Sequence, residues 1–195
     1  MSLTRTLDWL GVADTGVVRS QLEVYRQWLS DEAIPAGGLG PGERPRLADR
    51  HLADSLLFAG VWDGTHPGRV VDAGTGVGLP GIPLAILRPD RSFVLLDRSG
   101  RRVTLARRAV RILGLDHVDV VQANIEDFDC AGATVVSRAS APPGHLLAMT
   151  HAHGAPRELL VAGSHRERPI VVGFDTVDIP AEILDRPVWI LRMAL

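Results

Sequence analysis

From residue 69 onwards, short apolar runs alternate with longer segments whose apolar positions recur at helical spacing. Runs at 69–73, 93–96, 118–122, 134–137, 158–162, 170–177 and 188–193 predict seven strands. Between the first two, a helix is predicted to open near Pro80. Between the second and third, G-R-R-V-T-L-A-R-R-A-V-R-I-L-G-L predicts a strong helix stopped by Gly114, and 146–151 predicts a short one. Such alternation calls for a mainly parallel α/β sheet with right-handed crossovers. The last two strands are joined by about ten residues, too few for a helical crossover, so they are expected to pair antiparallel.

Upstream of residue 69 the period is helical only. Val18, Leu22, Tyr25 and Leu29 predict an amphipathic helix over 15–29, and Leu47, Leu52 and Leu56 predict another. Between them P-A-G-G-L-G-P-G at 35–42 sustains neither helix nor strand and predicts a mobile loop. Residues 1–62 are therefore expected to form a small helical cap with a glycine- and proline-rich loop at 35–45. Residues 66–195 are expected to form the ligand-binding domain.

Composition narrows the setting. A chain of 195 residues suits one α/β domain with an appendage, and a single cysteine, Cys130, excludes a disulfide framework and a cysteine-only zinc site. No run approaches the ~18 apolar residues of a membrane span, so a cytoplasmic protein is expected. The net charge of −2 excludes a uniformly basic nucleic-acid binder. All 21 basic residues are arginine, and eight fall between Arg88 and Arg111. Arg101, Arg107, Arg108 and Arg111 share one arc of roughly 120° on the predicted helix, which reads either as a solvated face or as an RNA track, while Arg102 falls on the apolar side. His151, His153 and His165 have no cysteine nearby and are read as surface residues, with no metal expected.

The chemistry concentrates in D-A-G-T-G-V-G-L-P-G at 72–81. Gly76-x-Gly78-x-x-Gly81 satisfies the dinucleotide pattern G-x-G-x-x-G, with Asp97 near the spacing of a ribose-binding acid. Asp72 argues otherwise, because a carboxylate at the strand's end repels a pyrophosphate and attracts the ammonium and sulfonium of S-adenosylmethionine (SAM). Gly74, Gly76 and Gly78 would let the backbone approach that ligand closely. In an open parallel sheet the ligand lies outside the carboxyl ends of the strands, so Asp72, Asp97, residues 124–126 and Ser137-Arg138 are expected to converge on one crevice.

These features resemble a class I SAM-dependent methyltransferase of Rossmann-like fold. Four blocks resemble the RsmG (GidB) family more closely: R-H-L-A-D-S-L at 50–56, G-T-G-V-G-L-P-G-I-P-L-A at 74–85, L-L-D-R-S-G-R-R-V at 95–103 and V-V-S-R-A at 135–139. The resemblance implies methyl transfer from SAM to guanine N7 of small-subunit ribosomal RNA, free or in an assembly intermediate. It implies that Gly74, Gly76 and Gly78 line SAM with Asp72, that Asp97 binds its ribose and that Ile125 and Glu126 border its adenine. Arg138 is implied to face the target, with Arg50, His51, Arg102 and Ser137 also on the substrate side. The alternatives are a SAM methyltransferase acting on another RNA or a small molecule, a SAM-binding relative without transfer activity, and a dinucleotide enzyme. Two departures stand out. The family's W-N-x-x-x-N-L-T segment gives way to the glycine- and proline-rich stretch, and Ala162 stands about where the family has a lysine.

Overall fold

The computed structural model describes residues 2–12, 16–62, 64–65, 68–162 and 167–194. Strands Val70–Ala73 (β1), Phe93–Asp97 (β2), Val118–Gln122 (β3), Thr134–Arg138 (β4), Glu158–Ala162 (β5), Asp175–Ile179 (β6) and Val188–Ala194 (β7) form one sheet. Their order is β3-β2-β1-β4-β5-β7-β6. The pairings are parallel except those of β7, which runs antiparallel to both β5 and β6. The order reverses between β1 and β4, which opens a crevice at their carboxyl ends.

The sixth strand begins later than its apolar pattern predicts. Ile170 and Val172 precede β6 and are 92% and 97% exposed. The strand itself, D-T-V-D-I, is polar because it lies at the sheet's edge, where one side meets water.

Helices Gly81–Leu87 (α5) and Gly100–Leu113 (α6) cover one face of the sheet, and α6 ends on Gly114 in the left-handed conformation at φ 63°. The same face carries Ser2–Trp9 (α1), Gly16–Trp28 (α2), Ala53–Leu56 (α3) and Phe58–Val61 (α4). Leu22, Tyr25, Leu56 and Phe58 from these helices join Val70, Leu84, Leu95 and Val136 in one buried cluster. Each such side chain contributes roughly 1.5–3 kcal/mol. Pro143–Thr150 (α7) lies over the other face, where Val71, Ala73, Leu96, Val135 and Leu146 form a smaller cluster. Ala181–Leu184 (α8) connects β6 to β7. Among the described residues no helix is long and apolar enough to cross a membrane.

The glycine- and proline-rich stretch is a defined turn rather than the mobile loop its composition predicts. A widened helical turn at Leu29–Ala33 extends α2, and Pro41–Arg46 form a 3-10 turn. Arg44 Nη2 donates to the Ser30 carbonyl at 3.0 Å, and the Arg101 guanidinium donates to the carbonyls of Ala36 and Gly37 at 3.1 and 3.2 Å. Gly38 packs so closely that a Cβ there would lie 2.4 Å from Val77 Cγ1. The turn therefore rests on the glycine loop after β1. The arginine arc of α6 is largely consumed in such contacts: Arg107 donates to the Val120 carbonyl of edge strand β3, and Arg108 pairs with Glu32.

Candidate active site

A cleft of about 570 Å³ opens at the reversal point. Its walls come from the loop after β1, the ends of β2 and β4, residues 123–126, the start of α7 and Leu39 of the glycine- and proline-rich turn.

The glycines of the β1 loop do three different jobs. Gly76, at φ 62°, has nothing within 4 Å of its missing Cβ and lines the cleft, so here the backbone itself faces the space. Gly74, at φ 77°, makes room for Ser140, whose Cβ would lie 2.5 Å from an added Cβ. Gly78 does not line the cleft; an added Cβ would lie 2.3 Å from Ile82 Cδ1 and 2.9 Å from the Tyr25 hydroxyl. Its expected place against a ligand is thus corrected to a packing role, pinned by the Tyr25 hydroxyl donating to the Val77 carbonyl at 2.9 Å.

Asp72 is corrected in the same way. It is fully buried and absent from the cleft wall, and its Oδ2 accepts from Thr75 Oγ1 at 2.6 Å and from the Gly81 amide at 2.8 Å. The β1 period of two points Asp72 with Val70 towards α5, away from the ligand space. Burial pushes its carboxyl up to about 7 against the pull of those two donors. A carboxyl group thus already occupies the start of α5, the position a dinucleotide's pyrophosphate would need. Gly81 allows this closeness, since an added Cβ would sit 2.7 Å from Asp72 Oδ2.

Asp97 is the acid that faces the cleft. It is 4% exposed, its Oδ2 accepts from the Gly76 amide at 3.0 Å and its Oδ1 from the Ser99 amide at 2.9 Å. Arg102 Nη1 lies 3.7 Å from Oδ2, so this arginine stands beside the acid, within the same cleft. Ile125 and Glu126 line the cleft in a short turn held by Asn124 Nδ2 donating to Asp127.

Arg138 lines the opposite end. Its Nη1 donates to the His51 carbonyl and its Nη2 to His51 Nδ1, both at 3.1 Å. Neither Asp72 nor Glu126 pairs with it, and among the described residues no carboxylate stands within ion-pair distance of Arg138. Burial draws its guanidinium down from the ordinary value, with the field of Asp54 the main opposing influence. His51 is thus behind Arg138 rather than on the cleft surface, and Arg50 is exposed outside it. Ser137 is buried, with its hydroxyl donating to the Ala73 carbonyl at 3.0 Å, and ties β4 to β1 instead of meeting a substrate. The next residue after Arg138, Ala139, has φ 55°, which turns the chain so that Ser140 reaches Gly74.

Sequence reasoning missed Leu39, Arg98, Ser140, His145 and Met149 as wall residues. Arg98 and Ser140 carried a signal, their positions just beyond strand ends. Among the described residues no group of three or more histidine, cysteine, aspartate or glutamate side chains could hold a metal, and His165 lies outside them.

Comparison with known proteins agrees with this geometry. The fold is that of SAM-bound magnesium protoporphyrin IX methyltransferase from Synechocystis PCC 6803, with TM-score 0.55 at 19% identity over 88% of this chain and 95% of that one. It is also that of a ribosomal protein L11 methylase from Lactobacillus delbrueckii subsp. bulgaricus, with TM-score 0.57 at 16% identity over 74% and 78%. In sequence the chain is 38% identical to ribosomal RNA small subunit methyltransferase G of Mycobacterium leprae (strain TN), over 86% of this chain and 74% of the relative. It is also 38% identical to the protein of that name from Klebsiella pneumoniae (strain 342), over 76% and 72%. With residues 19–170 matching the family's model as well, the chain belongs to the family described as GidB, rRNA small subunit methyltransferase G.

Proposed function

We propose that this protein transfers the methyl group of SAM to guanine N7 of small-subunit ribosomal RNA, free or in an assembling subunit, in the cytoplasm where that RNA is made. The observation that carries the reading is the glycine turn folded onto Asp97, with the open Gly76 backbone beside a buried carboxylate that accepts from two amides and has Arg102 at 3.7 Å. Lone pairs remain on that carboxylate for ribose hydroxyls. Gly74 and Gly76 would border the cofactor, with Ile125 and Glu126 towards its adenine. When bound, SAM supplies an electrophilic methyl group.

The residues present suit a nucleophile that needs no deprotonation. Guanine N7 offers a lone pair and no proton, so a general base has nothing to remove. What the chain must supply is alignment, which is worth several orders of magnitude when the reacting atoms are held in line. Arg138, with no carboxylate partner among the described residues, can donate to guanine O6 beside N7 or to a neighbouring phosphate. Arg50, exposed and next to His51 in the chain, is suited to the RNA backbone.

The test is label transfer from tritiated SAM to small-subunit RNA, both naked and in assembled subunits, followed by mass mapping of nucleosides. A single N7-methylguanosine is expected. Label on another atom, or none on either substrate, contradicts the reading.

A further inference from the structure

Arg138 is held from behind by residues far away in sequence, and the bonds fix a protonation state. Arginine has donors only, so the Nδ1 that receives Arg138 Nη2 must carry a lone pair. The ring proton then lies on Nε2, which is 2.8 Å from Glu43 Oε2. Ser55 Oγ donates to the His51 carbonyl at 2.6 Å beside Arg138 Nη1, which fixes the backbone under the ring. The chain Glu43, His51, Arg138 is thus complete only with neutral histidine in one tautomer.

We propose that Glu43 and His51 are positioning residues for methyl transfer, holding the Arg138 guanidinium at the target end of the cleft only while the His51 ring is neutral. This rests on the reading that Arg138 handles the target. A proton on Nδ1 would set N–H against N–H and two cations in contact, and the guanidinium would lose its orientation. The charged groups that face the ring are Glu43 from the 3-10 turn, Arg138 from β4 and Arg50 beside it. Burial dominates and holds the imidazole below its ordinary value, opposed by the bond to Glu43 and assisted by the field of Arg138. The turn that replaces the family's asparagine-containing segment therefore supplies Glu43, one end of the device, as well as a wall.

The experiment is the pH profile of methyl transfer from about pH 5 to about pH 8.5, with SAM affinity measured in parallel. The wild type should show an acid limb below the ordinary histidine value of roughly 6.5, with SAM affinity flat across it. His51→Asn puts a non-titrating acceptor oxygen near the place of Nδ1. Its acid limb should vanish while the plateau rate falls no more than about tenfold. His51→Leu should lose about a hundredfold or more in kcat at unchanged SAM affinity. Glu43→Gln keeps an acceptor for Nε2–H but removes the charge, so the limb should move to lower pH. An acid limb that survives in His51→Asn, or stays in place in Glu43→Gln, overturns the proposal. Should His51→Leu not fold, those two arms decide alone. If the wild type methylates no small-subunit RNA, the functional reading falls, and the geometry is judged by the ¹⁵N shifts of His51. An Nε2–H tautomer that becomes a mixture in Arg138→Met upholds it, and shifts that do not change overturn it.

Discussion

The two ends of the cleft are built in opposite ways. The end proposed for the cofactor is local: β1, its glycine loop, α5 and β2 place Gly76 and Asp97 within 21 residues of each other and join them by a backbone amide. The end proposed for the target is assembled from Glu43, His51 and Arg138, the last two 87 positions apart, through two side-chain to side-chain bonds and one from the Arg138 guanidinium to the His51 carbonyl. Local backbone geometry is hard to perturb except by removing its anchor. A side-chain relay can be broken at any link, and at His51 by a proton. Substitutions at the two ends should accordingly separate binding of SAM from transfer of its methyl group.

The largest effect on the cofactor end is expected from Asp97→Ala. It removes the proposed ribose acceptor and the anchor of the Gly76 and Ser99 amides, a loss of roughly 3 kcal/mol that corresponds to a hundredfold or more in SAM affinity by calorimetry. Unchanged affinity would refute the assignment of the cofactor end.

Next comes the pH dependence carried by Asp72. Its carboxyl is raised from 3.8 to about 7 in the folded state, so between those values the unfolded chain is ionised and the native one is not. The contribution to stability is present at acid pH and is lost as pH rises towards 7, at up to about 1.4 kcal/mol per pH unit. Urea melts of wild type against Asp72→Asn should show the difference shrinking by a few kcal/mol at most from pH 5 to pH 7. A difference that is constant across this range would mean that Asp72 is ionised in its buried site.

A smaller effect is expected from Tyr25→Phe, which leaves the Val77 carbonyl without its donor. It should cost about 1–2 kcal/mol of stability and weaken SAM binding severalfold, because the glycine loop loses a strut. Loss of transfer at intact SAM affinity in this variant would place Tyr25 at the wrong end of the cleft.

The sheet and much of the cleft wall could be read from the chain because periodicity, glycine spacing and strand ends are local signals. Asp97, Ile125 and Glu126 stand where strand-end logic puts them. Asp72 did not, because β1 is buried on both faces and its residues carry no alternation to show which way a carboxylate turns. Its partner Gly81 looked like a phosphate glycine but serves contact with Leu95 and Asp72. The stretch at 35–42 reads as mobile from composition, since its fixings come from Arg101 and Val77, far along the chain. The sixth strand, expected over 170–177, begins only at Asp175, because apolar character at Ile170 and Val172 reads as strand although both face water.

The central claim is that SAM binding and target handling reside in separable walls, and one measurement addresses it directly. SAM is titrated into Arg138→Met, which keeps the side chain's bulk without its charge, and methyl transfer to small-subunit RNA is followed in the same preparation. The account predicts SAM affinity within about threefold of wild type and transfer reduced by about a thousandfold, roughly 4 kcal/mol of transition-state stabilisation. SAM affinity that falls in step with transfer, or transfer that persists at the wild-type rate, would contradict it.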